Sequence, residues 1–160
     1  MNLPTEEQLV NKLIEKSWHI SCAESCTGGL VASRIVNVAN ASKVFDASFV
    51  TYANEAKIKY LGVSPETIEK HGVVSEEVVF EMASGVAKET GAQVGIAVSG
   101  IAGPSGGTEK KPVGMVCFGF YVNGEITTRT CQFGNPGRNE VRALSTEYAL
   151  QTALELVSPK

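Results

Sequence analysis

The chain has 160 residues, of which 43% are hydrophobic, and this is enough for one domain of ordinary size with a full apolar core. The sequence therefore predicts a single domain over residues 1–160. Its net charge of -3, with no basic cluster beyond Lys110-Lys111, excludes the basic surface of nucleic-acid-binding proteins, so no nucleic-acid partner is expected. Because the chain lacks both a signal-like start and the roughly 18 consecutive apolar residues of a membrane-spanning helix, we expect a soluble cytoplasmic protein without a membrane partner.

Hydrophobic spacing predicts helices and strands that alternate along the chain. In chain order, we first expect a helix that starts at the capping box Thr5-Glu6-Glu7-Gln8, a strand over about 18–24, a helix over about 30–38 and a strand over 47–52. Three helices follow: one capped by Asn54 that ends at Gly62, a short one from Ser64 and a longer one from Ser75. The rest of the chain predicts a strand over 95–99, two strands over 113–122 and 126–133, and a final helix over about 139–157. The Asn123-Gly124 pair between the last two strands is a strong hairpin signal. This order predicts an α/β fold, a three-layer α/β/α sandwich around a mixed sheet with a C-terminal hairpin and helix.

The four cysteines lie mostly in apolar stretches, which predicts reduced and largely buried thiols: Cys22, Cys26, Cys117 and Cys131. The two that are close in sequence are separated by three residues, which is not a usual zinc-binding spacing. Since only His19 and His71 are available as further ligands, we expect no metal site.

A serine lies between a predicted strand and a predicted helix, in the run Ala23-Glu24-Ser25-Cys26-Thr27-Gly28-Gly29. A turn at the end of a strand is a place where a nucleophile can be held. The backbone N–H groups of Thr27, Gly28 and Gly29 are expected to be unpaired at the helix start, where they can bind a phosphate or the oxyanion of an attacked amide. The alternative is a tight turn in which a serine or threonine caps the helix.

A serine nucleophile needs a base, and the sequence offers two histidines and one well-placed lysine. His19 lies toward the far end of the same predicted strand, and His71 lies in a connection, so neither is well placed. Lys57 lies in the first turns of a helix, where the positive end of the helix dipole disfavours its protonated form, and Tyr52 can share a proton network with it. The alternative is a solvated lysine beside Glu55.

The glycine-rich segment 100–108 is a candidate phosphate site, although it has neither a Walker ending nor a dinucleotide fingerprint. Its backbone amides and the hydroxyls of Ser105 and Thr108 can hold one phosphate, and Arg138 and Arg142 can supply bidentate charge. The two arginines are four residues apart at the start of the last helix, so they are expected to share one face. The alternative is a flexible surface loop with two solvated arginines.

Five motifs in order resemble the CinA carboxy-terminal domain family over about residues 5–157: Ala23-Glu24-Ser25-Cys26-Thr27-Gly28-Gly29, Val50-Thr51-Tyr52-Ala53-Asn54-Glu55-Ala56-Lys57, Gly72-Val73-Val74-Ser75-Glu76, Ser99-Gly100-Ile101-Ala102-Gly103-Pro104 and Lys111-Pro112-Val113-Gly114. The resemblance is to the stand-alone form of the domain. It implies a nicotinamide-nucleotide amidase, which hydrolyses nicotinamide mononucleotide to nicotinate mononucleotide and ammonia in pyridine nucleotide salvage. It implies that no metal or organic cofactor is needed. It also implies that the chain can form homo-oligomers, as members of the family do.

Carried onto this sequence, the resemblance makes Ser25 the nucleophile, Lys57 its base and Tyr52 a helper. The substrate-binding residues that it implies are Thr27, Gly28, Gly29, Gly103, Ser105, Gly106, Thr108, Arg138 and Arg142. The chain departs from the family where residues 134–138, Gly-Asn-Pro-Gly-Arg, replace a shorter turn, which can move Arg138. Two other functions stay open: a Ser-Lys amidase for another small amide, and a non-catalytic nucleotide-binding or regulatory module.

Overall fold

The structure, a computed structural model, describes residues 2–159. Its elements in chain order are α1 (Thr5–Lys16), β1 (Ile20–Glu24), α2 (Leu30–Val36), a 3₁₀ turn (Ala41–Lys43), β2 (Phe45–Val50), α3 (Asn54–Leu61), α4 (Pro65–His71), α5 (Glu76–Thr90), β3 (Val94–Gly100), β4 (Met115–Val122), β5 (Glu125–Gln132) and α6 (Arg138–Val157). Among these residues, no helix combines the length and apolar character needed to cross a membrane.

The five strands form one mixed sheet in the order β2-β1-β3-β4-β5. Strand β1 pairs in parallel with β2 and β3, whereas β4 is antiparallel to both β3 and β5. Helices α1, α2 and α6 pack together on one face, and α3, α4 and α5 pack on the other. The prediction of a three-layer α/β/α sandwich with a C-terminal hairpin and helix is therefore confirmed.

Small residues on one face of the sheet let helix α5 approach the strands closely. A Cβ at Gly119 would lie 2.2 Å from the carbonyl oxygen of Val79, so only glycine fits at this point of β4. In the same way, a Cβ at Gly85 would lie 1.8 Å from the carbonyl oxygen of Leu61. Helix α5 is thus pressed against both the sheet and the end of α3, and this contact sets the position of α3 above the sheet.

Ser64 and Ser75 lie at the N-cap positions of α4 and α5 as predicted, whereas two other predicted caps differ. The Ser75 side chain accepts a hydrogen bond from the amide of Val78 and caps α5, as predicted. The capping box at Thr5 is wrong, because Thr5 is already helical and its hydroxyl donates to Glu147 at 2.9 Å. The cap at Asn54 is also wrong, because Asn54 is the first residue of α3 and makes no capping bond.

The hairpin is confirmed, and several element ends shift by a few residues. Both Asn123 and Gly124 have positive φ, +49° and +99°, as a two-residue hairpin turn requires, and Val122 pairs with Glu125. The strand expected over 47–52 occupies Phe45–Val50, and the strand expected from residue 113 begins at Met115. The four cysteines are free thiols, of which all but Cys131 are buried.

Candidate active site

Ser25 begins the connection from β1 to α2, which we call the nucleophile loop (residues 25–29). Its amide donates to the carbonyl oxygen of Val98 at 3.1 Å, so it continues the pairing of β1 with β3 for one residue. The loop therefore lies at the carboxyl ends of the parallel strands, where open α/β sheets form their ligand crevices. The side chain of Ser25 faces a cavity at this edge.

Lys57 reaches Ser25 from helix α3. Its Nζ lies 3.0 Å from Ser25 Oγ and also donates to the carbonyl oxygens of Thr51 at 2.6 Å and Tyr52 at 3.3 Å. The residue is 1% exposed, and no carboxylate hydrogen-bonds to its ammonium group among the described residues. Burial therefore lowers the pKa of Lys57 from 10.5 to about 8, although the neighbouring Cys26 opposes this in part.

The hydrogen bonds of Lys57 suit both of its protonation states. The ammonium form has three N–H groups and three oxygen acceptors. The neutral amine can keep its two N–H groups on the carbonyls of Thr51 and Tyr52 and turn its lone pair to the hydroxyl of Ser25. The arrangement can therefore take the proton of Ser25 and give it back without moving the lysine.

Tyr52 and Arg138 lie together at the mouth of the cavity. The hydroxyl of Tyr52, a residue that is 60% exposed, accepts from Arg138 Nη2 at 2.9 Å, and Arg138 Nη1 donates to the carbonyl oxygen of Gly103 at 2.8 Å. Tyr52 contacts Lys57 through its main-chain carbonyl. The hydroxyl thus contacts Arg138 and not Lys57, and the helper role of Tyr52 stays a prediction.

The cavity has a volume of about 270 Å³ and lies between the nucleophile loop, α3 and the connection from β3 to β4, which we call the glycine loop (residues 101–114). Its lining residues are Ser25, Cys26, Tyr52, Asn54, Lys57, Val73, Val74, Ser99, Gly100, Ile101, Ala102, Gly103, Ser105, Gly106 and Arg138. This lining holds two basic side chains and no carboxylate. The cavity therefore favours a substrate that carries an anionic group.

Five of the predicted binding residues are outside this lining: Thr27, Gly28, Gly29, Thr108 and Arg142. The amide of Gly28 donates to the carbonyl oxygen of Ser25 at 3.0 Å, and that of Gly29 donates to Glu24 Oε1 at 3.1 Å. The expectation that these two N–H groups are unpaired is wrong, because the protein supplies their acceptors. The hydroxyl of Thr108 accepts from the amide of Lys111 within the glycine loop.

Glu24 is a buried carboxylate at the end of β1 that we did not anticipate from the sequence. It accepts from the hydroxyl of Thr27 at 2.6 Å and from the amides of Gly29, Val31 and Ala32 at 3.0–3.1 Å. The anion at the start of α2 is therefore the protein's own, and it satisfies amides that a helix start leaves free. The available signal was an acidic residue at the end of an apolar strand just before a helix.

The amide of Cys26 has no acceptor among residues 2–159. Cys26 follows Ser25 directly and lines the cavity. The amide after a nucleophile is a common donor to the oxyanion in hydrolases with a strand-turn-helix serine. Cys26, Asn54 and Ser99 are further lining residues for which the sequence predicts no role in the site.

The two arginines of α6 point to different places. Arg138 is at the cavity mouth, whereas Arg142 Nε donates to the carbonyl oxygen of Cys26 at 2.8 Å and Nη2 to that of Thr27 at 3.3 Å. The two residues are one helical turn apart, as predicted, but Arg142 contacts the backbone of the nucleophile loop instead of lining the cavity.

Both histidines lie away from the cavity lining, as expected. His19 contacts Asp46 at 2.9 Å, and His71 contacts Glu77 at 3.4 Å. Within the part of the chain that the structure describes, no group of three or more histidine, cysteine, aspartate or glutamate side chains can hold a metal ion.

Comparison with known proteins gives consistent matches. The sequence model described as the CinA C-terminal domain matches residues 2–157. A "CinA-like protein" of Kosmotoga olearia is 51% identical over 96% of the chain, which spans 37% of that protein's length. A protein of Enterobacter agglomerans named "Nicotinamide-nucleotide amidohydrolase PncC" is 52% identical over 87% of the chain and 85% of its own length.

Solved structures agree with the fold. A competence or damage-inducible protein from Enterobacter asburiae superposes with a TM-score of 0.92 at 35% identity and 96% coverage of both chains. The competence/damage inducible protein CihA from Agrobacterium tumefaciens gives a TM-score of 0.90 at 38% identity, with 99% of this chain and 100% of that chain covered.

Proposed function

The chain belongs to the CinA C-terminal domain family, and we propose that it is an amidohydrolase that converts nicotinamide mononucleotide to nicotinate mononucleotide and ammonia. The observation that carries this proposal is the 3.0 Å contact between Ser25 Oγ and the buried Nζ of Lys57. The name of the Enterobacter agglomerans relative supports the choice of substrate. We place the reaction in pyridine nucleotide salvage in the cytoplasm.

In the first half of the proposed reaction, Ser25 Oγ attacks the carboxamide carbon while the neutral amine of Lys57 takes the hydroxyl proton. The tetrahedral intermediate carries a negative oxygen, which accepts a hydrogen bond from the Cys26 amide. The ammonium of Lys57 then donates its proton to the nitrogen that leaves as ammonia. The product of this half is an ester between Ser25 and the nicotinate group.

In the second half, water attacks the ester carbon and Lys57 accepts a proton from that water. The intermediate collapses, the bond to Ser25 Oγ breaks, and Lys57 returns the proton to the serine. The carbonyls of Thr51 and Tyr52 hold Lys57 in place through both halves. One basic group thus serves twice, and each half ends with Lys57 neutral again.

The phosphate of the substrate is proposed to bind at the cavity mouth. Arg138 offers a planar, bidentate cation there, and Ser105 and Gly106 offer a hydroxyl and a backbone amide from the glycine loop. The aromatic ring of Tyr52 lines the same mouth and can pack against the nucleotide. With the phosphate at Arg138, the carboxamide can point inward toward Ser25.

The test is release of ammonia from nicotinamide mononucleotide by the purified protein, compared with Ser25→Ala and Lys57→Ala. Each variant is expected to lose activity by about four orders of magnitude, because neither half of the pair works alone. Matched controls are Ser33→Ala on α2 and Lys59→Ala on α3, two exposed positions that should keep wild-type rates. If the wild type binds the mononucleotide without turnover, the domain is a binding module and the proposal fails. If it is inactive on the mononucleotide and hydrolyses another amide through Ser25, only the substrate assignment fails.

A further inference from the structure

Arg142 has its guanidinium donors directed at the protein itself. Nε and Nη2 donate to the carbonyl oxygens of Cys26 and Thr27, and Nη1 donates to the side-chain oxygen of Asn139 at 3.1 Å. The residue is not part of the cavity lining, although Arg138 one turn earlier on α6 is. Three of the five N–H donors of this guanidinium are therefore engaged by the protein, on the side of the nucleophile loop and outside the cavity lining.

The contacts of Arg142 orient the peptide groups that follow the nucleophile. In a planar trans peptide the C=O and N–H bonds point in opposite directions, so holding the Thr27 carbonyl also sets the direction of the Gly28 N–H. That N–H donates to the carbonyl oxygen of Ser25, and this bond in turn sets the direction of the Cys26 N–H. A chain of two hydrogen bonds therefore connects Arg142 to the Cys26 amide, the oxyanion donor of the proposed reaction.

Local sequence and geometry accommodate this contact. Gly28 has a φ of +57°, and a Cβ there would lie 3.3 Å from Arg142 Nη2, so a glycine leaves room for the guanidinium beside the loop. The carboxylate of Glu24 holds the other side of the same loop through Thr27 and Gly29. The carboxylate of Glu24 and the guanidinium of Arg142 therefore hydrogen-bond to the loop from two sides. Hydrogen bonds that involve a charged group are stronger than those between neutral groups.

We propose that Arg142 is a positioning residue for the nucleophile loop, which holds the Cys26 amide in place for the oxyanion, and that it does not bind the phosphate of the substrate. The inference rests on the proposed acyl-enzyme reaction at Ser25, but not on the identity of the amide. Arg138 and Arg142 then have separate roles: Arg138 acts in substrate binding, and Arg142 acts on the chemical step.

The first experiment is steady-state kinetics of Arg142→Ala and Arg142→Lys beside Arg138→Ala, with nicotinamide mononucleotide. Arg142→Ala should lower kcat by about 100-fold, as for loss of an oxyanion donor, with KM changed less than about threefold. Guanidinium ion at millimolar concentration should restore at least part of kcat, which a variant with only general structural damage would not show. A large rise in KM at unchanged kcat, as expected for Arg138→Ala, would overturn the proposal.

A second readout separates this proposal from the substrate assignment. A fluorophosphonate probe reacts with an activated serine and places its phosphoryl oxygen where the oxyanion forms, whatever the natural substrate is. Wild type should be labelled at Ser25, and Arg142→Ala should be labelled about 100-fold more slowly. Equal labelling rates of wild type and Arg142→Ala, with equal thermal stability, contradict the role of Arg142 even if the mononucleotide is not the substrate.

Discussion

The nucleophile loop and the glycine loop both line one cavity, but they are held in different ways. Residues 25–29 are bonded on one side by Glu24 and on the other by Arg142. Residues 104–110 of the glycine loop are all exposed. Attack on a carbonyl requires a nucleophile and an oxyanion donor held within a fraction of an ångström, whereas a phosphate can be held by a loop that adapts.

The glycine loop is attached mainly at its two ends. The amide of Gly114 donates to the carbonyl oxygen of Ile101 at 2.7 Å, which closes the loop. Lys111 Nζ then connects it to the neighbouring wall by donating to the carbonyl oxygens of His71 and Val74. The comparison predicts that changes in the nucleophile loop act on kcat and that changes in the glycine loop act on KM.

The largest expected effect is that of Lys57→Met. Activity should fall by about four orders of magnitude because Ser25 loses its base. The change removes the desolvation cost of a buried amine but also its hydrogen bonds to the carbonyl oxygens of Thr51 and Tyr52, so the free energy of unfolding should stay equal or rise by about 1–2 kcal/mol. Kinetics and urea denaturation measure the two quantities on the same protein.

The difference in stability between Lys57→Met and the wild type should depend on pH. The pKa of Lys57 is lowered from 10.5 to about 8 in the folded protein, so the folded state binds fewer protons between these values. Wild-type stability should therefore rise with pH across that window. The advantage of Lys57→Met should be full below pH 8 and decline toward pH 10.5, and a constant difference would contradict the burial argument.

The next effect is that of Glu24→Gln. An amide can accept through one oxygen only, so at least one of the four donors that Glu24 holds is left without its acceptor. We expect a loss of about 2–3 kcal/mol in the free energy of unfolding and about a tenfold fall in kcat, with KM nearly unchanged. Glu55→Gln, at an exposed position of α3, is the matched control.

Arg138→Ala tests the phosphate side of the cavity, where Arg138 of α6 donates to the carbonyl oxygen of Gly103 in the glycine loop. Loss of its guanidinium should raise KM for nicotinamide mononucleotide by about 10- to 100-fold, the range for losing a charge-assisted hydrogen bond, with kcat nearly unchanged. The nucleoside without the phosphate should show the same KM with wild type and variant. If kcat falls as far as KM rises, Arg138 acts on the chemical step. The assignment of kcat effects to the nucleophile loop and KM effects to the phosphate side is then wrong.

The smallest effect is expected for Lys111→Met, which removes the connection of the glycine loop to the neighbouring wall. KM should rise about threefold at constant kcat, because a loop that is less ordered before binding pays more conformational entropy when it closes on the phosphate. Lys110→Met, at the exposed neighbouring position, should match wild type.

The sequence predicted the position of Ser25 because a strand, a short turn and a helix are each encoded locally. The contact with Lys57 depends on the sheet instead. Glu24 pairs with Val50 in parallel register, and the amide of Thr51 donates to the carbonyl of Glu24, so the two strand ends lie side by side and α3 starts next to Ser25. The position of Lys57 near the start of a helix suggests it as the base. Its distance of 3.0 Å from Ser25 could not be predicted, because that distance depends on how β1 pairs with β2.

The roles of the two arginines of α6 could not be predicted from the sequence, because acceptors far away in the sequence decided where each guanidinium points. Arg138 and Arg142 are one helical turn apart, and helical spacing alone gave them one common face. In the fold, Arg138 meets Tyr52 and Gly103, whereas Arg142 meets carbonyls 115 and 116 residues away. Periodicity says which residues are neighbours on a helix, and it does not say which backbone groups need a donor.

The pH dependence of kcat/KM for nicotinamide mononucleotide tests the central claim, that buried Lys57 acts as the base for Ser25, most directly. The neutral amine is the active form, so the account predicts a tenfold rise per pH unit below a pKa of about 8 and a plateau above it. The residual rate of Lys57→Ala should lack this transition. A wild-type profile that is flat from pH 6 to pH 9, or a transition that persists in Lys57→Ala, would contradict the account.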